Sequence, residues 1–436
     1  MKRRFLLPLL MLVLLSGCAV NSDELLRLPQ LPEQYMLVQE QLDQILSDTT
    51  QLSAPISGEN RSAIQMMDLN GDNIDEVLAF CKTQKDEAVV LQIFIFRLER
   101  GKYTRFAVLE GVGDTFDACS VPRMGLEKLP VLIVGWRLGA NPVCGITAYR
   151  MGEKGMEQMY SGEYTGLIVD DFDADHADEL LVLRHQADMN VAGNAVLLNF
   201  ESGRLVAAAT APLSATVTSP LEINYEYIGP SQMGVVVDGL VNEEQIVTDV
   251  LCFRGGVLSN LTFDELTQQS QSTLRPAAYL CTDVDSDGIL EIPMVSAVPG
   301  NSGSREDSLH FTHWYSYNEE TGLTRNFSGY WDIAGSWFCV IPDTLISGIT
   351  VGRGETVGEY RSVEFCQYNG ETEGVGAALW EIFCLVGEQR YHNLDMMSLA
   401  ELARTRSSVY AAKVNVDNGQ RVITIAEISS LFYLVG

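Results

Sequence analysis

An all-β chain, built of small, similar sheets strung in series, is what this sequence predicts, and three observations carry the prediction. β-Rich hairpins recur along the chain, each turning at a glycine. A short acidic loop recurs among them. Each copy of that loop lies between two brief apolar runs. Short β-rich runs bounded by polar turns are the mark of strands rather than helices.

The hairpins come first. VVLQIFIFRLERGKYTRFAVL turns at Gly101, and later units turn at Gly155, Gly203, Gly255, Gly322, Gly370 and Gly419. Glycine supplies the positive φ that tight hairpin turns demand. Most successive turns lie about 50 residues apart, near the length of a four-stranded propeller blade. The wider gap before Gly322 holds an insertion, PGNSGSRED, at residues 299–307. The spacing predicts a seven-bladed β-propeller over residues 53–436, and six or eight blades are also compatible with it. Radial repetition protects sheet edges.

Two segments break the β pattern. EQYMLVQEQLDQILSD, residues 33–48, sets Met36, Leu37, Leu42, Ile45 and Leu46 largely at helical spacing. It predicts a helix inside a linking segment, residues 18–52. DMMSLAELART, from Asp395, is a second helix candidate.

The first residues, MKRRFLLPLLMLVLLSGCAV, join a positive stretch (Lys2, Arg3, Arg4) to an apolar run from Phe5 to Leu15. That run falls short of the roughly 20 apolar residues a membrane span needs, and it has the dimensions of a secretory signal. It ends in Leu15-Ser16-Gly17-Cys18, which resembles the bacterial lipobox. The resemblance implies cleavage of residues 1–17, diacylation of Cys18, and a domain anchored by lipid on the extracytoplasmic face of the cell membrane.

The chain carries 58 acidic and 29 basic residues, a net charge of −29. Such a field disfavours nucleic acid and favours cations. The remaining cysteines (Cys81, Cys119, Cys144, Cys252, Cys281, Cys339, Cys366, Cys384) show no CxxC spacing, and most sit in apolar runs. They read as small buried hydrophobes rather than zinc ligands.

The acidic loop reads DLNGDNIDEV from Asp68, DFDADHADEL from Asp171 and DVDSDGILEI from Asp283. Carboxylates crowded this closely repel one another unless a hard cation neutralises them, and Ca²⁺ accepts about six to eight oxygens at flexible geometry. Side-chain oxygens at positions 1, 3 and 5, a carbonyl at 7 and a carboxylate at 9 can wrap one ion. The first loop offers Asp68, Asn70, Asp72, the carbonyl of Ile74, and Glu76. The second offers Asp171, Asp173, Asp175, the carbonyl of Ala177, and Glu179. The third offers Asp283, Asp285, Asp287, the carbonyl of Ile289, and Glu291. Up to three calcium ions are expected, in the first, third and fifth units, leaving even-numbered blades to be held by packing alone.

These loops resemble those of FG-GAP/VCBS-type repeats of integrin-like β-propellers, whose pattern is roughly D-x-[DN]-x-D-G-x-x-D ahead of an apolar strand. The likeness covers three loops, and the intervening blades by period alone. Two departures stand out. The last ligand is Glu in every copy, and the glycine at position 6 survives only as Gly288, with Asn73 and His176 elsewhere. Asn and His tolerate left-handed backbone better than most residues.

No HExxH, GxSxG or GxxxxGK[ST] occurs, and the histidines are scattered. His310 and His313 fall on opposite faces of one strand. No catalytic residue is assigned. The aromatic cluster around Trp314 and Trp331 is a candidate ligand surface if exposed and ordinary core if buried. Together these features predict a lipid-anchored, monomeric propeller that uses calcium as a staple and binds an extracellular protein or glycan. The alternative is an extracellular propeller hydrolase or lyase acting on polysaccharide.

Overall fold

The computed structural model describes residues 33–435, apart from 86–87, 187–190, 218, 301–308, 319, 358–359, 371–373 and 416–422. Cys18 and the signal segment lie outside the described residues, as does the turn at Gly419. The chain is all β. Its described residues form six antiparallel sheets of four or five strands, in chain order, plus a two-stranded ribbon.

The first sheet joins Ile64–Met67, Glu76–Lys85, Ala88–Glu99 and Lys102–Gly111, with Thr50–Leu52 also pairing to Glu76–Lys85. The second joins Thr115–Ser120, Leu132–Arg137, Cys144–Met151 and Met156–Tyr164. The third joins Gly166–Asp170, Glu179–Arg184, Gly193–Glu201 and Arg204–Leu213. The fourth is Pro220–Gly229, Gln232–Leu240, Gln245–Arg254 and Val257–Asn260, with Arg275–Pro276 alongside. The fifth is Ile292–Ala297, His310–Asn318, Gly322–Asp332 and Trp337–Val340, extended by Phe432–Leu434. The sixth is Ile349–Val357, Tyr360–Tyr368, Val375–Val386, Ser408–Val414 and Ala400–Arg404. Serial four-stranded meanders packed face to face are propeller blades. Helices rather than each other, however, cover the outer faces of sheets one and six, so the series has two ends in place of the closed contact that radial repetition implies.

The alternation of each strand shows why they stack. In VVLQIFIF, Leu91, Ile93 and Ile95 pack with Phe116, Val134 and Trp136 of the second sheet. Phe94 and Phe96 point the other way, onto Val38 and Leu42 of the N-terminal helix. In the third sheet Leu180 and Val182 face the second blade, while Leu181 and Leu183 face the fourth. A strand buried on both faces reads as a continuous apolar run. That is why VLAF and LLVL follow their acidic loops so abruptly.

Six of the seven expected hairpin turns join strands of these sheets. Positive φ at Arg100 and Gly101 (52° and 79°), and at Ser202 and Gly203 (49° and 81°), marks the mirror-image turns that match strand twist. Helix Glu33–Ile45 stands where the sequence predicts it. The second helix is displaced. It spans Arg390–Met396 and stops before Ser398, whose φ is 52°; Ala400–Arg404 then pairs as an edge strand with Ser408–Val414. Each helix covers one end of the stack: the first lies on the outer face of sheet one, and the second covers Phe383, Leu385 and Val409 of sheet six. No helix among the described residues is long and apolar enough to cross a membrane. The eight described cysteines are buried, as their apolar setting predicts.

Even-numbered blades are not held by packing alone. In the fourth, Arg275 donates to Asp238 at 2.8 Å and to the Thr248 hydroxyl at 2.6 Å, and Cys281 N–H donates to the other Asp238 oxygen at 2.9 Å. Beside it, Asp249 accepts from Ser214 N–H and Oγ, Ser270 Oγ and Asn260 Nδ2, all within 2.9 Å. Asp238, Asp249 and Arg275 are fully buried. The second blade inserts a ribbon, Arg123–Met124 against Leu129–Pro130, that ties its neighbours together as described next.

Candidate metal centres

The first two acidic loops connect two strands of their blades. The third leads into the first strand of the fifth sheet, with its ends closed by a bridge between Thr282 and Glu291. All three fold alike. The ninth residue turns back under its loop: one oxygen of Glu76, Glu179 and Glu291 accepts the backbone N–H of Leu69, Phe172 and Val284, at 2.9, 2.9 and 3.0 Å. The first aspartate caps the turn from the other side. Asp68, Asp171 and Asp283 accept the N–H of Asn73, His176 and Gly288, at 3.2, 2.9 and 2.9 Å. Those three sixth-position residues have φ of 64°, 72° and 85°. Asn and His thus adopt the left-handed conformation that only the third loop gives to glycine.

In the third loop Asp283, Asp285 and Glu291 bring one oxygen each within 4.8 Å of the others. Glu291 is fully buried. Its second oxygen and one oxygen of Asp285 are enclosed without a partner. Orphaned buried carboxylate oxygens cost several kcal/mol, of order 1–3 each, unless something fills the gap. Desolvation, reinforced by Asp285, Asp287 and Asp283, pushes the Glu291 carboxyl up to about 8. The donor set is all oxygen, which suits a hard cation such as calcium. The fit is good.

The second loop gathers Asp171, Asp173 and Glu179 in the same way. Glu179 is buried, and desolvation pushes it up to about 7. Asp175 and Asp287 stand outside these triads; each accepts the N–H two residues on, from Ala177 and Ile289, at 2.8 Å. They shape the loops. A cavity of about 600 Å³ opens beside the second loop, lined by Asp175, Glu179, Arg150 and Phe200 among others.

The first loop differs. Asn70 donates its amide to Glu76 at 3.0 Å and to Asp72 at 3.1 Å, and Asp72 accepts the N–H of Ile74 at 2.8 Å. Arg123, from the second blade's ribbon, donates to Asp68 at 3.0 Å. Its backbone meanwhile pairs with Asp178 of the second loop, donating at 2.7 Å and accepting at 2.8 Å. Both Glu76 oxygens are satisfied from within the chain, and a guanidinium lies where the loop's charge needs neutralising. A metal does not fit as well here, so calcium titration should reach two ions per chain by native mass spectrometry. Adding Asn70→Asp and Arg123→Gln together is expected to raise the count to three; a wild-type count of three would refute the distinction. Neither Asn70's bonding nor Arg123 is visible in the loop motif, because Asn is an accepted third-position ligand and Arg123 comes from another blade.

The aromatic candidates prove to be core. Trp314 is fully buried and Trp331 is 8% exposed, with ring centroids 5.2 Å apart. They pack with Phe338, Val435 and Val284, the second residue of the third loop. Neighbouring strands place both indoles between layers, so of the two readings of Trp314 and Trp331, core stands and the ligand surface does not. Trp314→Ala should cost about 3–5 kcal/mol, as for other large core truncations, read as a lowered denaturation midpoint. Unchanged stability would contradict the burial. His313 bridges Ser296 and Ser328 at 2.8 and 2.7 Å, whereas His310 stacks edge-on against Tyr279. They do not meet.

No family model matches the sequence, and neither does any curated protein. Among solved structures, the β-propeller domain of the Trilobed protease from Pyrococcus furiosus is similar at 11% identity, covering 74% of this chain and 91% of that one, with a TM-score of 0.27. The Dos1 propeller is similar at 11% identity, over 83% and 88% of the two chains, with a TM-score of 0.28. Rhamnogalacturonan lyase YesW shows 12% identity over 72% and 77%, with a TM-score of 0.30. The propeller assignment rests on the sheet topology above.

Proposed function

We propose that this chain is a calcium-stapled propeller module, moored by lipid on Cys18 to the extracytoplasmic face of a cell membrane, that binds an extracellular protein or glycan. The observation that carries the staple is the third loop, where buried oxygens of Asp285 and Glu291 converge without a partner. The repeated loop geometry also supports the likeness to FG-GAP/VCBS repeats. The mooring is supported by the segment from Lys2 to Cys18, and the surface location by the acidic charge.

An enzyme reading, hydrolase or lyase on polysaccharide, draws on the cavity beside the second loop, whose lining includes Glu127, Asp175, Glu179, Glu201 and Arg150. Panels of polysaccharides and peptides offered to the purified protein separate the two. Capture without turnover is the expected result. Turnover abolished by one of Glu127→Gln, Glu179→Gln or Glu201→Gln would overturn the module reading in favour of the enzyme.

A further inference from the structure

We propose that a second cavity, at the joint of the fifth and sixth sheets, is a binding site for a short acidic oligosaccharide. The inference deepens the binding-module reading above and rests on it. The cavity encloses about 550 Å³ and is lined by Arg361, Ser336, Tyr360, Thr405, Ser408 and Tyr410 among others. That volume falls within the roughly 300–1,000 Å³ typical of small-molecule sites.

Its walls are fixed before any ligand arrives. The Tyr410 hydroxyl, on the sixth sheet, donates to the Gly335 carbonyl in the turn between the third and fourth strands of the fifth, at 2.8 Å. Arg361, also on the sixth, pairs with Asp332 of the fifth at 3.5 Å. The same turn holds Ser336, another residue of the lining, at φ 54°, a left-handed conformation uncommon for serine. Preorganised walls spare a ligand the ordering cost of binding.

The chemistry of the lining selects the ligand. Hydroxyls both donate and accept, which matches the hydroxyls of a sugar. Arg361 is the charged residue of the lining, and its guanidinium side chain stays about one-third exposed (35%). A planar guanidinium favours a carboxylate held by two parallel bonds. The chain's charge of −29 opposes anions at long range, but physiological salt screens that field within about 8 Å. At contact, Arg361 decides. A uronic-acid oligosaccharide meets both demands.

Calorimetric titration with trigalacturonate tests the site, with maltotriose as the uncharged control. Saturable binding of trigalacturonate, at least tenfold tighter than maltotriose, is expected. Arg361→Gln should weaken it at least tenfold, with Arg361→Lys between. Since Arg361→Gln also removes a partner of Asp332, Ser407→Trp supplies a second test: it fills the mouth from an exposed turn and should block binding with the melting temperature unchanged. Binding that survives both variants would overturn the site. So would equal affinity for tetra-alanine, which carries a carboxylate but no sugar hydroxyls. Binding abolished by chelator would place the ligand at a metal loop instead. A calcium-dependent melting temperature without any oligosaccharide binding would sink this inference and leave the stapled module standing.

Discussion

Replacing Arg275 with alanine is expected to destabilise the protein by about 3–5 kcal/mol, the largest effect of any single polar substitution proposed. The side chain is fully buried, and Asp238, which it faces at 2.8 Å, is buried as well. Removing one partner of such a pair strands the other charge in a medium that solvates it poorly. Asp238 would keep only the Cys281 and Thr248 contacts. The loss should appear as a lower urea midpoint. Replacing both partners, as Asp238→Leu with Arg275→Met, should cost less than Arg275→Ala alone, because an apolar pair carries no stranded charge. A double variant worse than the sum of its singles would mean that the pair acts chiefly by positioning the loop from Leu261 to Arg275 rather than by neutralisation.

Chelation is the second. Calcium held by the folded state alone adds about 2.7 kcal/mol per site when it stands a hundredfold above its dissociation constant. Removing it should lower the melting temperature by several degrees. Glu291→Gln should remove about half of that response, since the third loop is one of two with converging triads. Magnesium should restore less than calcium, because it demands a stricter octahedral shell and sheds water reluctantly. A melting temperature indifferent to both chelator and Glu291→Gln would refute metal stapling altogether.

What the sequence revealed and concealed follows from where each signal lies. Acidic loops, turn glycines and alternating strands are local, so their positions could be read directly: Glu291, the hairpin at Gly101 and the helix at Glu33–Ile45 are all where expected. Contacts between residues far apart in the chain leave no such trace. Arg123 lies 55 positions from Asp68, and Arg275 lies 37 from Asp238. No periodicity links such pairs. Trp314 illustrates a different limit. Alternation says which face of a strand a residue occupies, but a blade packed on both faces buries either choice. Asp395 onward reads as helix by composition, yet pairing with Ser408–Val414 wins because an edge strand satisfies its backbone there.

The two helices at the ends of the stack carry a consequence for assembly. Sheets bury their broad faces on one another, so a bare terminal face would invite another copy to dock, and then another. Here Val38 and Leu42 occupy one such face, and Leu394 and Met397 the other. The series is self-limiting: its length is set within one polypeptide, and growth into fibres along that direction is blocked at both ends.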